Sequence, residues 1–262
     1  MKTIPTPTPI TRRRFLGRTL GSIAAVLSAG CERLGQTEWF PKVLAVGEDI
    51  SHTVHKALIP RRAMAQEFTA ADLSPTFRSN GTSDPEDDEY QELAQENFVK
   101  WRLQVDGLVA APRDFSLVEL KAMPRRTQIT RHDCVEGWSA IGKWTGVPLQ
   151  HILAAVKPTS QARYVVFHCA DTMEDDGSSP YYESIDMDDA YHPQTILADT
   201  LNDAVLPIAN GAPLRLRVER QLGYKQAKYL MRIELVASLD DVYGGKGGYW
   251  EDSNGYQWYA GI

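Results

Sequence analysis

Nine consecutive residues, Arg131-His132-Asp133-Cys134-Val135-Glu136-Gly137-Trp138-Ser139, set the strongest limit on what this chain can fold into. They place a thiol, an imidazole and two carboxylates within five positions. The stretch follows a strand-like run, Thr127 to Thr130, and precedes an amphipathic helix. Gly137 and Trp138 predict a tight turn with one large ring packed over it. Two accounts of Cys134 stay open on local sequence. It is either a thiolate ligand for a metal or a buried structural cysteine beside a turn, since free Cys is among the most buried residue types.

The N-terminus carries an address. Thr11-Arg12-Arg13-Arg14-Phe15-Leu16-Gly17 matches a twin-arginine export pattern, and the apolar region after it, Leu20 to Ala29, is too short to span a bilayer. That route exports proteins already folded around a cofactor, so the address itself hints at one; a chance arginine run before an ordinary secretory signal is the other reading. Cys31, after Leu27-Ser28-Ala29-Gly30, resembles a lipoprotein cleavage site that would anchor the mature chain to a membrane. The expectation is a signal over 1–31, an N-terminal extension over 32–75 and one domain over 76–262, working in the periplasm. The net charge of −6 includes Lys2, Arg12, Arg13, Arg14 and Arg18 of the signal, with no acid among them, so the remaining chain is more acidic still. That argues against a nucleic-acid partner.

Further along, His52 and His55 lie near Lys56, Arg61 and Arg62, and read more simply as solvated surface than as metal ligands. Asp84 to Glu89 reads as an exposed acidic loop. Trp101 to Val105 alternates and ends at Asp106-Gly107, as a strand and turn do. Ser116-Leu117-Val118-Glu119 is a capping box for a short helix that Pro124 stops. Pro148 opens a helix whose apolar face is Leu149, Ile152, Leu153 and Val156. Tyr164 to Phe167 predicts a buried strand running into His168 and Cys169, Leu214 to Val218 a half-buried strand, and Tyr229 to Val236 another. The glycines of 244–248 fit no phosphate loop. The aromatic residues that follow, Tyr249-Trp250 and Tyr256-Gln257-Trp258-Tyr259, look like a lid or a packed tail. Irregularly interleaved strands and helices, several strands in hairpin-like succession, predict a mixed α+β domain.

The chain has three cysteines, Cys31, Cys134 and Cys169. In an oxidising compartment the last two are a candidate disulfide, which would exclude Cys134 as a ligand. No CxxC pair points to a zinc ribbon or an iron–sulfur site, and no nucleophile elbow points to a hydrolase. A soft thiolate beside a metal remains open.

Five ordered blocks then carry a resemblance. They are Cys134-Val135-Glu136-Gly137-Trp138-Ser139, Trp144-Thr145-Gly146-Val147-Pro148-Leu149, Tyr181-Tyr182-Glu183-Ser184-Ile185, Asn210-Gly211-Ala212-Pro213-Leu214-Arg215, and Gly223-Tyr224-Lys225 with Lys228. Together they resemble the molybdopterin-binding domain of the sulfite oxidase superfamily, in particular its exported bacterial members, over roughly residues 76–262. The resemblance implies a sulfite-oxidase-like mixed-sheet fold around a molybdenum–molybdopterin cofactor. By position it implies Cys134 as the molybdenum ligand and Asn80, Cys169, Asn210 and Arg215 as pterin contacts. Gln226, Ala227 and Lys228 align with the segment that binds the cofactor's phosphate end, where cations and backbone N–H groups suit an anion. Taken singly, Arg215 also reads as an outward strand residue and Lys228 as a snorkelling surface lysine.

Glu136 is the candidate proton donor or acceptor, because reducing an oxide consumes two protons; the other reading has it orienting a neighbour. Sulfite oxidases carry an arginine pair shortly after the ligand cysteine. Here an acid stands in that stretch, and a carboxylate would repel sulfite. Cys169 also departs from close relatives, which have a hydroxyl residue there. The implied activity is therefore two-electron oxygen-atom transfer that reduces an S-oxide or N-oxide, small or protein-bound. Sulfite oxidation is the alternative within the superfamily, and a non-catalytic exported binding domain with a Cys134–Cys169 disulfide the alternative outside it. No haem-binding Cys-x-x-Cys-His occurs in the sequence. The resemblance implies a separate electron donor, a membrane haem or quinone-linked protein.

Overall fold

The computed structural model of the chain describes residues 37, 39–40, 46–47, 63–174 and 179–261. The twin-arginine pattern, Cys31, His52 and His55 lie outside the described residues. The chain divides into two units at Pro60/Arg61, and the second unit, Arg61–Ile262, holds the fold that follows.

Two sheets form the framework. The first runs β2-β1-β10-β5-β6, from Arg113–Ser116 (β2), Arg102–Gly107 (β1), Leu230–Val236 (β10), Tyr164–Thr172 (β5) and Pro180–Asp186 (β6). Its strands pair antiparallel except β1 with β10, which are parallel with Val105 opposite Ile233. The second runs β3-β4-β7-β8, from Arg126–Cys134 (β3), Trp138–Pro148 (β4), Ile196–Leu201 (β7) and Ala204–Val205 (β8), with Arg215–Arg217 (β9) also pairing with β7. Short helices fill in: Asp88–Gln95 (α1), Leu117–Ala122 (α2), Leu149–Val156 (α3), Met187–Ala190 (α4) and Tyr249–Asn254 (α5). The domain is α+β with a mixed sheet, as expected.

Periodicity explains the main core. Leu149, Ile152, Leu153 and Val156 of α3 are buried together with Leu103 and Val105 of β1, Val165 and Phe167 of β5, and Ile233 and Leu235 of β10. Each such side chain contributes about 1.5–3 kcal/mol relative to exposure. The capping box of α2 forms as predicted: Glu119 N–H donates to Ser116 Oγ at 3.2 Å, and Ser116 N–H donates to Glu119 Oε2 at 2.8 Å.

Three expectations need correcting, and the segment before the expected domain finds its neighbours. The Arg131–Ser139 stretch leads directly into β4, and α3 comes only after that strand. The acidic stretch ends in a helix: Asp87 caps α1, accepting from Tyr90 N–H at 2.8 Å, so Asp88 and Glu89 sit in the first turn where the helix dipole favours acids. Residues 63–75, read as part of an extension, lie along the second sheet, with Phe68 N–H on Ile129 O at 2.8 Å and Ser74 N–H on Ile141 O at 3.0 Å. Finally, β9 is buried on both faces, arginines included, because polar partners surround it.

Candidate active site

The β3–β4 hairpin ends at the pair Cys134–Trp138, so Cys134 sits at the tip of a long ladder. Gly137 makes the turn with φ +86°, a left-handed conformation that suits glycine, and its N–H donates to Cys134 O at 3.0 Å. Trp138 packs over the turn as predicted, its ring 5.4 Å from that of His132 and 6.4 Å from that of Phe77. The Cys134 thiol is half-buried and unpaired. Burial pushes its pKa up; the Glu136 backbone N–H, Arg78 and Lys228 oppose that, and the Glu136 carboxylate adds to it. Glu136 itself is oriented from two sides, accepting from Trp138 Nε1 at 2.9 Å and from Gly81 N–H at 3.4 Å.

Cys134, Val135 and Glu136 face a cavity of about 230 Å³. Asn80, Gln226 and Lys228 line it too, so the fold brings five of the expected residues to one place. Asp171, Tyr181, Tyr224, Trp250 and Tyr256 complete much of the wall. Lys228 is no surface lysine. Its ammonium donates to Asn80 O at 2.6 Å, to Ala209 O at 3.2 Å and to Thr82 O. Burial, helped by Arg215, lowers its pKa to about 7, against the pull of Asp171. Asp171 is in turn pushed up to about 6 by burial, with Lys228 opposing.

The remaining expected residues surround Lys228. Arg215 is fully buried, donating to Asn210 O at 2.8 Å and Gln226 O at 3.3 Å, and burial lowers its pKa to about 9. The outward reading of Arg215 is thereby corrected. Gly211 (φ +108°) lets these chains meet, since a Cβ there would lie 2.9 Å from Lys228 Cβ and 3.2 Å from Arg215 Cβ. Cys169 pairs with Leu230 across β5–β10, and its thiol is bonded to the Lys228 backbone. Burial pushes that thiol's pKa well above the usual value. Ala227 turns its side chain into the main core, while its carbonyl accepts from Leu216 N–H at 2.8 Å. Cys134 and Cys169 are both free, so the disulfide alternative is not what the fold contains.

Several buried polar atoms here have no protein partner: Asn80 Oδ1, Asp171 Oδ1, Asn210 Nδ2 and Arg215 Nε. Buried polar groups are nearly always bonded, and this cluster of orphans beside a cavity is the signature of a polar group that the protein binds. A pterin with its phosphate offers donors and acceptors to such a set, and a half-buried thiol at the cavity wall offers a soft metal its ligand.

Three buried ionic features had no signal strong enough to predict them. Arg217 lies 4.5 Å over the Trp144 ring, donates to His132 Nδ1 at 3.0 Å, and is held by both oxygens of Glu219 at 2.9 and 2.6 Å. Burial and the two arginines hold His132 well below its ordinary pKa, so this imidazole is neutral. Behind the cavity's other side, Lys225 Nζ lies 2.5 Å from Glu183 Oε2 and 2.6 Å from Glu251 Oε1, all three at most 1% exposed. Asp171 is the third feature, buried at the cavity wall.

The family model for the oxidoreductase molybdopterin binding domain matches residues 90–243. The chain is 38% identical over 252 residues to a protein named as protein-methionine-sulfoxide reductase subunit YedZ1 of Azospira oryzae, covering 95% of this chain and 87% of that one. It is 41% identical over 144 residues to the protein-methionine-sulfoxide reductase catalytic subunit MsrP of Ralstonia nicotianae, covering 52% of this chain and 44% of that one. Among solved structures, the sulfane dehydrogenase SoxCD from Paracoccus pantotrophus aligns with a TM-score of 0.49 at 22% identity, over 55% of this chain and 41% of that one.

Proposed function

We infer from the premise that this chain belongs to the oxidoreductase molybdopterin-binding family that it is an exported S-oxide reductase with Cys134 as the molybdenum ligand. The chain is a molybdopterin-dependent oxidoreductase. When bound, the molybdenum–molybdopterin cofactor supplies two-electron exchange and the acceptance of an oxygen atom. The observation that carries the finer reading is the half-buried free thiol of Cys134 facing a cavity edged by unpartnered polar atoms. On this reading Asn80, Cys169, Asn210 and Arg215 hold the pterin, and Gln226, Ala227 and Lys228 its phosphate end.

Reduction breaks the S–O bond. The sulfur gains two electrons, and the oxygen leaves as water after taking up two protons. Glu136, fixed by Trp138 and Gly81 beside Cys134, moves one of those protons. The same carboxylate disfavours an anionic substrate such as sulfite. Methionine S-oxide is the substrate we favour, supported by the names of two relatives. Those names also speak of subunits, which supports a separate electron donor, a membrane haem protein by class. The twin-arginine pattern supports export to the periplasm.

The test is metal content and turnover of the exported wild-type protein and of Cys134→Ala. About one molybdenum per wild-type chain, with reduction of methionine S-oxide by a reduced dye, and loss of activity in Cys134→Ala, is the expected result. Full activity in Cys134→Ala would overturn the ligand, and a molybdenum-free active wild type would overturn the whole reading.

A further inference from the structure

We propose that Trp250 and Tyr256 are the specificity-determining wall of the site, selecting an S-oxide carried on an aliphatic side chain of a polypeptide. This rests on the S-oxide reading above and adds to it the part of the protein that recognises the substrate's carbon skeleton.

The cavity lining divides chemically. One part carries the unpartnered atoms Asn80 Oδ1 and Asp171 Oδ1, with Lys228 beside them. The other part is aromatic, and the hydroxyls of Tyr181 and Tyr224 are already committed. Tyr181 OH donates to Tyr224 O at 2.6 Å, and Tyr224 OH donates to Gln257 O at 2.5 Å. What these two offer a ligand is therefore ring surface, and Trp250 and Tyr256 add the faces of their own rings. Trp250 and Tyr256 stack with centroids 5.8 Å apart and planes 26° apart, and Tyr256 meets Tyr224 edge-on at 5.1 Å. Ring surface of this kind favours methyl and methylene groups next to sulfur. It has little to offer a charged ligand other than a cation.

The wall is rigid. Tyr256 N–H donates to Trp250 O at 3.2 Å across Gly255, whose φ of +68° makes the turn after α5. Glu251, next to Trp250, is bonded to the buried Lys225. The cavity is reachable: Tyr256 is 37% exposed, and Val135, the residue after Cys134, is 46% exposed. A short aliphatic side chain reaches such a pocket while its polypeptide stays outside. Dimethyl sulfoxide, the smallest probe of the same chemistry, offers the wall two methyl groups but none of the methylene chain that leads from the sulfur to a backbone.

The experiment compares loaded wild type, Trp250→Ala, Tyr256→Ala and the conservative Trp250→Phe on a peptide containing methionine S-oxide and on dimethyl sulfoxide. Molybdenum content is measured for each. In the alanine variants the ratio of kcat/KM for peptide over dimethyl sulfoxide should fall about tenfold or more, mostly through KM. Trp250→Phe should restore most of it, with molybdenum near the wild-type level. An unchanged ratio in variants that retain molybdenum would overturn the proposal while leaving the reductase reading intact. Loss of molybdenum in Trp250→Phe would overturn it by making the rings part of the cofactor's own pocket. A wild type that reduces neither substrate would take both readings down together.

Discussion

Glu136 Oε2 accepts a hydrogen bond from the indole N–H of Trp138 at 2.9 Å, across the turn that begins at Cys134. The tryptophan thus does two things at once: it packs on His132 and it aims a carboxylate beside the thiol. Glu136→Gln keeps the size and the acceptor but cannot carry the proton. Turnover of methionine S-oxide should fall about 100-fold with metal content unchanged. Trp138→Phe keeps the packing and loses the donor, and a loss of about tenfold is expected. Full turnover in Glu136→Gln across the pH range would remove the proton role.

Asp171 gives the cofactor-free protein a pH signature. Burial raises its carboxyl from 3.8 to about 6, so the folded state holds its proton more tightly than the unfolded state does. Stability therefore falls as pH rises from about 4 to 6, by about 2–3 kcal/mol from this residue. Asp171→Asn should flatten that part of the profile. Urea midpoints of both proteins at several pH values decide the matter, and parallel curves would contradict it.

Lys225 and its two acids respond unequally to substitution. Lys225→Met leaves Glu183 and Glu251 buried with no cation, and a loss of about 3–5 kcal/mol is expected. Glu251→Gln leaves the Lys225–Glu183 pair intact, and it should cost far less. Chemical denaturation separates the two, and equal losses would mean that Lys225 is not what compensates the acids.

Gly223 is packed against His132. A Cβ there would sit 2.6 Å from the imidazole Nε2 and 3.0 Å from Asp133 O. Gly223→Ala should cost about 1–3 kcal/mol by overpacking and should lower molybdenum content, because the turn leads into Gln226 and Lys228. A thermal scan with metal analysis checks both; wild-type values would show that the ring yields freely.

How much of this could be read in advance depends on how local the cause is. The turn at Gly137 was readable because a left-handed glycine and a packed tryptophan are neighbours of the cysteine they serve. The buried face of α3 was readable because its period lies within eight residues. The burial of Lys228 was not, because its acceptors, the carbonyls of Asn80, Thr82 and Ala209, come from distant segments. Alternation in β9 likewise suggests arginines pointing outward, until Glu219, Asn210 and Gln226 supply their partners. The grouping of Lys225 with Glu183 and Glu251 joins three segments, and no single window contains it. The resemblance carried by the five ordered blocks named the neighbourhood of the site; only tertiary pairing gave its charges.

β10 lies between β1 and β5, parallel to one and antiparallel to the other. A chain emerging from the ribosome produces β1 first and β10 more than a hundred residues later. Until then β1 and β5 have no strand between them, and Lys228, two residues before β10, cannot reach the carbonyls of Asn80 and Thr82. Folding of this domain is consequently slow, non-local and late. Any helper that inserts a prosthetic group must wait for a nearly finished chain, or hold the two halves apart until the middle strand arrives.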